Sequence, residues 1–245
     1  MNEYKRQGSR KNAGRRRPAK KHPSNKRVKE RNRNVMILLG SVLCVALVIF
    51  MGTRMYHAAK EKEAAKKASL ETEDPLAGAP PLDVELLTVN EYSRPGIPLK
   101  QVKHVAIHYT ANPGSTAMDN RNYFENLKDS HETKVSSHFI IGLEGEIIQC
   151  IPTAEISYAT NERNVDTLSI ECCHPDESGK FTDATYQSVV ELTAWLCEKF
   201  GLSADDVIRH YDVTGKDCPR YYVQNPEAWE QMKADIGAKL KEDKS

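Results

Sequence analysis

An uncharged apolar segment near the N-terminus constrains the fold of this chain more than any other feature. Residues 35–52 read VMILLGSVLCVALVIFMG, which is 18 residues without a charged side chain. A helix of this length and composition is near the lower limit for crossing the hydrocarbon core of a bilayer. A buried core helix is a poor alternative, because the segment has no polar face. We therefore predict a single transmembrane helix over residues 35–52.

The preceding residues 1–34 form a basic tail with 14 Lys and Arg against 2 Asp and Glu. The rest of the 245-residue chain holds 21 basic and 32 acidic residues, so the net charge of +1 conceals a strong asymmetry. Large apolar side chains are almost absent from the tail, and we expect it to be disordered. Such a tail can bind nucleic acid, but its position before an apolar segment has a simpler explanation, so we expect no nucleic-acid partner. The protein partner of the tail is left open.

Charge also predicts the orientation of the apolar helix. Basic residues before a span favour the cytoplasmic side, so we expect the N-terminus inside and the rest of the chain outside the cell membrane. A cleaved signal peptide is the alternative, but its apolar region is normally shorter and its basic segment would not run to 34 residues. We expect an uncleaved, single-pass signal anchor.

A charged linker and a globular domain follow the predicted anchor. Residues 53–81 are rich in Ala, Glu and Lys and end in prolines, which predicts a stalk with a short exposed helix over about residues 57–70. Residues 82–245 show the mixed pattern of a packed domain. Strands are predicted over residues 102–109 and 167–173, a hairpin over 137–151, and helices over 117–128, 183–200 and 226–240. This mixture predicts an α/β domain with a central mixed β-sheet flanked by helices.

Five of the six cysteines lie beyond the predicted anchor. Cys150, Cys172 and Cys197 fall inside apolar elements, where cysteine is mostly a small core residue. An odd number of exported thiols leaves at least one without an intramolecular disulfide partner. Whether Cys150 and Cys172 pair is left open.

Cys218 differs, because it lies in the polar loop GKDCPR. His210 precedes it by eight residues, and His108 ends the first predicted strand of the domain. Two His and one Cys form a donor set that Zn²⁺ favours, with a fourth position left for water. A histidine at a strand end is more often structural, and that alternative stands for His108 on spacing alone. A thiol hydrolase using Cys218 is a poorer alternative, since its nearest histidine would also be a metal ligand.

The domain resembles the zinc-dependent N-acetylmuramoyl-L-alanine amidases, a family that includes phage endolysins, bacterial autolysins and peptidoglycan-recognition proteins. The resemblance is carried, in order, by IHYTAN at 107–112, SSHFIIGLEGEIIQCIP at 136–152, NVDTLSIE at 164–171 and RHYDVTGKDCPR at 209–220. It implies that His108, His210 and Cys218 hold one catalytic zinc in a surface groove. It also implies a mixed sheet flanked by helices.

The resemblance implies roles for further residues. Glu171 stands where related amidases carry a catalytic glutamate, and a charge in an apolar strand is costly unless it faces a groove. An edge-strand Glu facing solvent is the alternative. Lys216 stands where the family carries a catalytic lysine, and without the resemblance an ordinary loop lysine is the simpler interpretation. We also expect Thr110, His138 and Asn164 to contact the substrate, although His138 can instead satisfy a buried hydrogen bond.

Together these features predict a membrane-anchored, extracytoplasmic zinc amidase of the bacterial cell membrane. Its substrate would be peptidoglycan, cleaved between N-acetylmuramic acid and L-alanine in cell-wall remodelling or autolysis. A non-catalytic peptidoglycan-binding sensor is the first alternative, and it is disfavoured because Cys218, Lys216 and Glu171 are all present. The second alternative is a scaffold that acts through the basic tail.

Overall fold

The chain folds as two compact units in the computed structural model, which describes residues 25–72 and 75–242. The first unit ends at Pro75 and the second begins at Leu76. The predicted disorder of residues 1–24 lies outside the described residues. The domain begins earlier than the predicted residue 82, because Trp195 Nε1 donates a hydrogen bond of 3.0 Å to Ala77 O.

The first unit contains one long helix, α1 (Asn25–Thr72). Within it, the segment Lys29–Lys62 contains an 18-residue stretch with a mean hydropathy of 2.8, and it is long and apolar enough to cross a membrane. A signal sequence near an N-terminus has the same properties. The apolar side chains that the structure describes in this stretch are exposed, as expected of a helix that buries none of them against protein.

Helix α1 extends beyond the predicted span at both ends. Residues 25–34, which we expected to be disordered, are helical, and the separate helix predicted over residues 57–70 is continuous with the apolar segment. Helix formation is cooperative, because each added residue costs less than the first turn. An apolar helix therefore propagates into flanking segments rich in Lys, Arg, Glu and Ala, all of which favour helix.

The second unit is built on a six-stranded mixed sheet within the described residues 75–242. Its elements in chain order are β1 (Asp83–Val84), β2 (His104–Tyr109), α2 (Ala117–Ser130), β3 (Phe139–Ile141), β4 (Ile147–Gln149), β5 (Thr167–Cys172), α3 (Asp183–Phe200), β6 (Val207–Arg209), α4 (His210–Thr214), α5 (Arg220–Gln224) and α6 (Pro226–Glu242). The strand order is β1-β4-β3-β5-β2-β6. Only the β3–β4 hairpin is antiparallel among the strand pairs described, so the predicted α/β class with a mixed sheet is confirmed.

Helices cover both faces of the sheet. Helices α3 and α6 pack together and share one apolar core with strand residues such as Val105, Ile107 and Ile170. Helix α2 packs over β3 and β4 on the other face, where Phe124 and its neighbours form a second core.

The helix boundaries follow from local chemistry. Thr116 and Asp119 form a reciprocal capping box at the start of α2, and Gly201 ends α3 at a φ of 69°.

The alternation of side chains along β2 and β5 separates an apolar face from a polar one. Val105 and Ile107 point to the α3 and α6 side, so Ala106 and His108 point to the opposite side. The same alternation on β5 places Ser169 and Glu171 with them. Polar side chains are costly to bury without partners. Core packing alone therefore does not explain the polar side chains on this face of β2 and β5.

Candidate active site

The candidate site begins with a pair of neighbouring residues on β2 and β5. The two strands are parallel, and the Cα atom of His108 is in register with that of Glu171. Side chains in register on adjacent strands point to the same face, so the imidazole and the carboxylate lie side by side. Both stand near the carboxyl ends of their strands, where open α/β sheets usually bind ligands.

The two remaining predicted ligands are brought to the same edge by the segment after β6. His210 is the first residue of α4 and follows directly on β6, which pairs in parallel with β2. The chain then turns back, and Tyr211 N donates a hydrogen bond of 3.0 Å to Cys218 O. The predicted donor atoms of His108, His210 and Cys218 consequently lie within 4.8 Å of one another, and all three residues are buried.

These three residues fit a zinc ion. Imidazole nitrogen and thiolate sulfur are preferred zinc ligands, and three of them leave a fourth position open. The sulfur of Cys218 lies 3.7 Å from Nδ1 of His108. Tetrahedral coordination with ordinary Zn–N and Zn–S bond lengths separates those two atoms by about 3.6 Å. The spacing that the fold imposes thus matches the spacing that zinc requires.

Each histidine of the set also contacts a residue of one loop through its other ring nitrogen. His108 Nε2 lies 3.3 Å from Thr160 Oγ1, and His210 Nε2 lies 2.9 Å from Asn161 Oδ1. Hydrogen bonds of this kind fix the ring orientation and the tautomer of a metal-binding imidazole. In both cases Nδ1 is left as the nitrogen that can bind a metal.

Burial favours the neutral form of both histidines in the donor set. Desolvation, together with the nearby charges of His210 and Lys216, holds the pKa of His108 well below its ordinary value. Burial and Lys216 also lower the pKa of His210. Both imidazoles are therefore neutral at pH 7, which is the form that binds metals.

The buried thiol of Cys218 is not an activated nucleophile. Burial, with the carboxylate of Glu171 nearby, raises its pKa to about 12. Reactive cysteines have a lowered pKa and an accessible sulfur. This environment disfavours the thiol-hydrolase alternative, whereas a bound metal would stabilise the thiolate directly.

Glu171 and Thr110 carry polar atoms that nothing in the described residues satisfies. Glu171 Oε2 and Thr110 Oγ1 are buried and lack a hydrogen-bond partner within residues 25–72 and 75–242. Burial raises the pKa of Glu171 to about 8, although the ammonium of Lys216 opposes the shift. Lys216 itself is exposed and follows Gly215, which ends α4 at a φ of 76°. The structure thus brings Thr110, Glu171 and Lys216 to the site.

Two residues expected to contact substrate are used inside the protein. His138 is fully buried, where its Nδ1 accepts a hydrogen bond of 3.0 Å from Ser169 N and its Nε2 donates one of 2.8 Å to Glu155 O. Asn164 Oδ1 accepts hydrogen bonds from Ala159 N at 3.1 Å and Thr160 N at 2.7 Å. The structure therefore gives His138 the alternative role of satisfying buried hydrogen bonds, and gives Asn164 a role in shaping the loop.

No sequence pattern marks Thr160 and Asn161 as contacts of the two site histidines. His174 is 1% exposed, because its ring packs beside Tyr109 and its Nδ1 bonds to Asp176 O. The motif that contains Thr160 and Asn161 is a polar TNERN stretch, whose composition indicates a turn. Composition alone does not show that such a turn lies against two histidines.

An α/β domain with a His–His–Cys donor set beside a buried carboxylate is the arrangement of a metal-dependent hydrolase. A family model described as N-acetylmuramoyl-L-alanine amidase matches residues 98–221, just over half of the chain. The chain therefore belongs to the N-acetylmuramoyl-L-alanine amidase family, and the predicted resemblance is confirmed.

Individual relatives agree with this assignment. The chain is 35% identical over 149 residues to a probable N-acetylmuramoyl-L-alanine amidase of Bacillus licheniformis, covering 56% of this chain and 42% of the relative. It is 33% identical over 175 residues to the N-acetylmuramoyl-L-alanine amidase BlyA of Bacillus subtilis, covering 63% and 46%. The chain thus spans less than half the length of these relatives.

A solved structure covers the same domain. The catalytic domain of XlyA superposes with a TM-score of 0.55 at 26% identity, and the match covers 64% of this chain and 100% of that one. The matched domain of this chain therefore shares its fold with a complete catalytic domain.

Proposed function

We propose that this protein is a zinc-dependent N-acetylmuramoyl-L-alanine amidase that acts on peptidoglycan. The observation that carries the proposal is the convergence of His108, His210 and Cys218, with their donor atoms within 4.8 Å, beside the carboxylate of Glu171. Family membership, and relatives named as N-acetylmuramoyl-L-alanine amidases, support the choice of substrate. The bond cleaved would be the amide between the lactyl group of N-acetylmuramic acid and L-alanine.

The chemistry follows from the groups around this site. A zinc ion held by His108, His210 and Cys218 would polarise the substrate carbonyl and lower the pKa of the attacking water. Glu171 would remove a proton from that water as the water oxygen bonds to the carbonyl carbon. This step needs the ionised carboxylate, which a bound zinc ion would favour over the neutral acid that burial favours. The same carboxyl group then returns the proton to the amide nitrogen as the carbon–nitrogen bond breaks. The products are a muramyl lactyl carboxyl group and a free L-alanine amino terminus.

Two further residues support this reaction. The positive charge of Lys216 lowers the pKa of Glu171 and of all three proposed ligands, so it acts throughout the site. It would therefore stabilise negative charge that develops on the carbonyl oxygen. Thr110 presents a buried hydroxyl one strand position beyond Tyr109, and its lack of a partner among the described residues leaves it available to a substrate amide.

We further propose that helix α1 anchors the protein in the bacterial cell membrane. Residues 35–52 are uncharged, and the 34 residues before them carry 14 Lys and Arg. The positive-inside rule then puts the N-terminus in the cytoplasm and the domain on the outer side, where peptidoglycan lies. Washed membranes treated with a protease from outside should lose the domain and keep the N-terminal tail.

The decisive experiment is an amidase assay on the full-length protein in mild detergent. Purified peptidoglycan is incubated with the protein, and new L-alanine amino termini are followed by mass spectrometry. Parallel samples contain EDTA, Cys218→Ala or Glu171→Gln. Release of stem peptides that all three treatments abolish would support the proposal. Binding of peptidoglycan without release, by a zinc-loaded protein, would overturn it in favour of a sensor.

A further inference from the structure

We propose that Thr160 and Asn161, two consecutive residues of one loop, position both histidine ligands of the zinc ion, and that Asn161 also sets the tautomer of His210. The inference rests on the proposed function, because it concerns the zinc site of that enzyme. It adds two residues to the three that would bind the metal directly, and it assigns them to a single structural element. That element is the segment 158–166, which includes the short 3₁₀ helix Asn161–Val165.

Asn161 sets the tautomer of His210 through an amide oxygen that can only accept a hydrogen bond. Its Oδ1 lies 2.9 Å from His210 Nε2, so Nε2 must carry the proton. In the neutral imidazole this leaves the lone pair on Nδ1. A lone pair on Nδ1 is what a zinc ion at the cluster needs from His210.

Thr160 orients the ring of His108 through a hydroxyl. Its Oγ1 lies 3.3 Å from His108 Nε2, and Nδ1 of the same ring faces the sulfur of Cys218 at 3.7 Å. A hydroxyl can donate or accept, so it accommodates the proton on Nε2 when Nδ1 binds a metal. Thr160 is 1% exposed, which shields this hydrogen bond from competition by water.

The segment is held rigidly enough to serve as a support. Asn164 Oδ1 accepts hydrogen bonds from the backbone N–H groups of Ala159 and Thr160. Ser136 fixes the start of the segment, because it exchanges two hydrogen bonds with Tyr158, at 3.0 and 3.1 Å. A support fixed in this way restricts the rotation of both imidazoles before zinc arrives.

Asn161 adopts a backbone conformation that fits a dedicated role. Its φ is 52°, in the left-handed region that most side chains avoid. Asparagine tolerates this region better than other residues with a Cβ atom, and glycine adopts it without strain. Glycine would therefore relieve the backbone at position 161, so the turn itself does not require an amide there. The amide is used instead in the hydrogen bond to His210.

The experiment measures zinc affinity in the full-length protein by competition with a chromophoric chelator. Asn161→Gly removes the amide and keeps the backbone, and Thr160→Val removes the hydroxyl and keeps the shape. Loss of such a supporting hydrogen bond weakens metal binding by roughly 10–100-fold. Asn161→Asp keeps both the acceptor and the tolerated backbone, so it should restore affinity to within about threefold of wild type, by the same reasoning.

Two control variants match these changes. Ala111 also has a positive φ, of 53°, and Ala111→Gly relieves it without touching a hydrogen bond of the histidines. Thr193 is buried on α3, and Thr193→Val mimics the hydroxyl loss away from the site. Both controls should bind zinc like wild type. Co²⁺-substituted samples add a spectroscopic readout, since the sulfur-to-cobalt absorption band reports ligand geometry independently of catalysis.

The outcomes separate this inference from the proposed function. Wild-type zinc affinity in both Asn161→Gly and Thr160→Val would overturn the positioning roles. An equal loss in Ala111→Gly would also overturn them, because backbone relief would then be the cause. Failure of the wild-type protein to bind zinc would reject both proposals. Loss of affinity in the two variants of a protein that does not cleave peptidoglycan would support the positioning roles and reject the amidase.

Discussion

Glu171 lies directly across from His108 on an adjacent parallel strand, and no hydrogen bond joins the two side chains within the described residues. The buried Oε2 atom of the carboxylate has no partner there, although its neighbour is an imidazole. Buried polar atoms are normally satisfied, and an exception calls for a functional explanation. A carboxylate that is held beside a metal donor set and left unpaired is arranged to exchange protons with a substrate or a water.

This arrangement makes Glu171→Gln the sharpest test of general base catalysis. The amide has the same shape and cannot accept a proton, so we expect the rate of stem-peptide release to fall by about 10²- to 10⁴-fold. Zinc content should remain at the wild-type level, because Glu171 is not a proposed ligand. Exposed Glu132, changed to Gln, is the matched control and should retain full activity. Loss of zinc from Glu171→Gln would instead show that the carboxylate supports the metal.

Lys216 should contribute through its charge. Removing one group that stabilises a developing oxyanion typically costs about 10²- to 10³-fold in rate, so Lys216→Ala should lose activity on that scale. Because Lys216 is exposed, the thermal stability of the variant should be nearly unchanged. Lys216→Arg keeps the charge and should recover part of the rate. Lys100→Ala, at another exposed lysine, is the control, and an equal loss there would assign the effect to overall charge.

Cys218 should be distinguishable from the other buried cysteines by its effect on metal content. Cys218→Ala removes the sulfur donor, so the zinc-to-protein ratio measured by mass spectrometry should fall close to zero. Cys197 is equally buried on α3, and Cys197→Ala should lower stability while leaving zinc bound. A ligand that binds only the folded state raises its stability, so added zinc should raise the melting temperature of Cys197→Ala but not of Cys218→Ala.

The sequence was sufficient for most elements of the domain, because their patterns are local. Helix α3 occupies the predicted residues with Gly201 as its end, and β2 and β5 match their predicted positions within two residues. The two-residue strand β1 was not predicted, since so short a segment has no periodicity to read. Helices α4 and α5 were missed for the same reason, being five residues each.

The residues of the site show the same contrast between local sequence signals and distant contacts. His108, His210 and Cys218 were predictable because their residue types carry their chemistry. The supporting roles of Thr160 and Asn161 were not, because they depend on contacts across 52 and 49 residues of sequence. His138 is buried by a partner strand 31 residues away, which no local pattern reveals. Distant pairing therefore determines which polar residues support the site and which only stabilise the core.

The burial of His138 predicts how stability depends on pH. Desolvation lowers the pKa of His138 to about 4 in the folded protein, against an unfolded value near 6.5. Between these values the unfolded chain binds a proton that the folded protein does not, so stability falls as the pH drops from about 6.5 to 4. The full loss is about 3 kcal/mol, and it is complete below the folded pKa. Above pH 6.5 this contribution is fully present and does not change.

A comparison with His138→Gln isolates that contribution. The variant lacks the titrating imidazole, and it should be less stable at pH 7 because it cannot keep both hydrogen bonds, to Ser169 and Glu155. The charged group that acts on His138 is Glu155, and both Glu155 and its ion-pair partner Arg94 remain in the variant. Carboxylates that titrate in the same range affect both proteins alike. The free energy of unfolding, measured in urea at pH 4.5, 5.5 and 7, should therefore depend less steeply on pH in the variant. An equal pH dependence in the two proteins would mean that His138 has the same pKa in the folded and unfolded states.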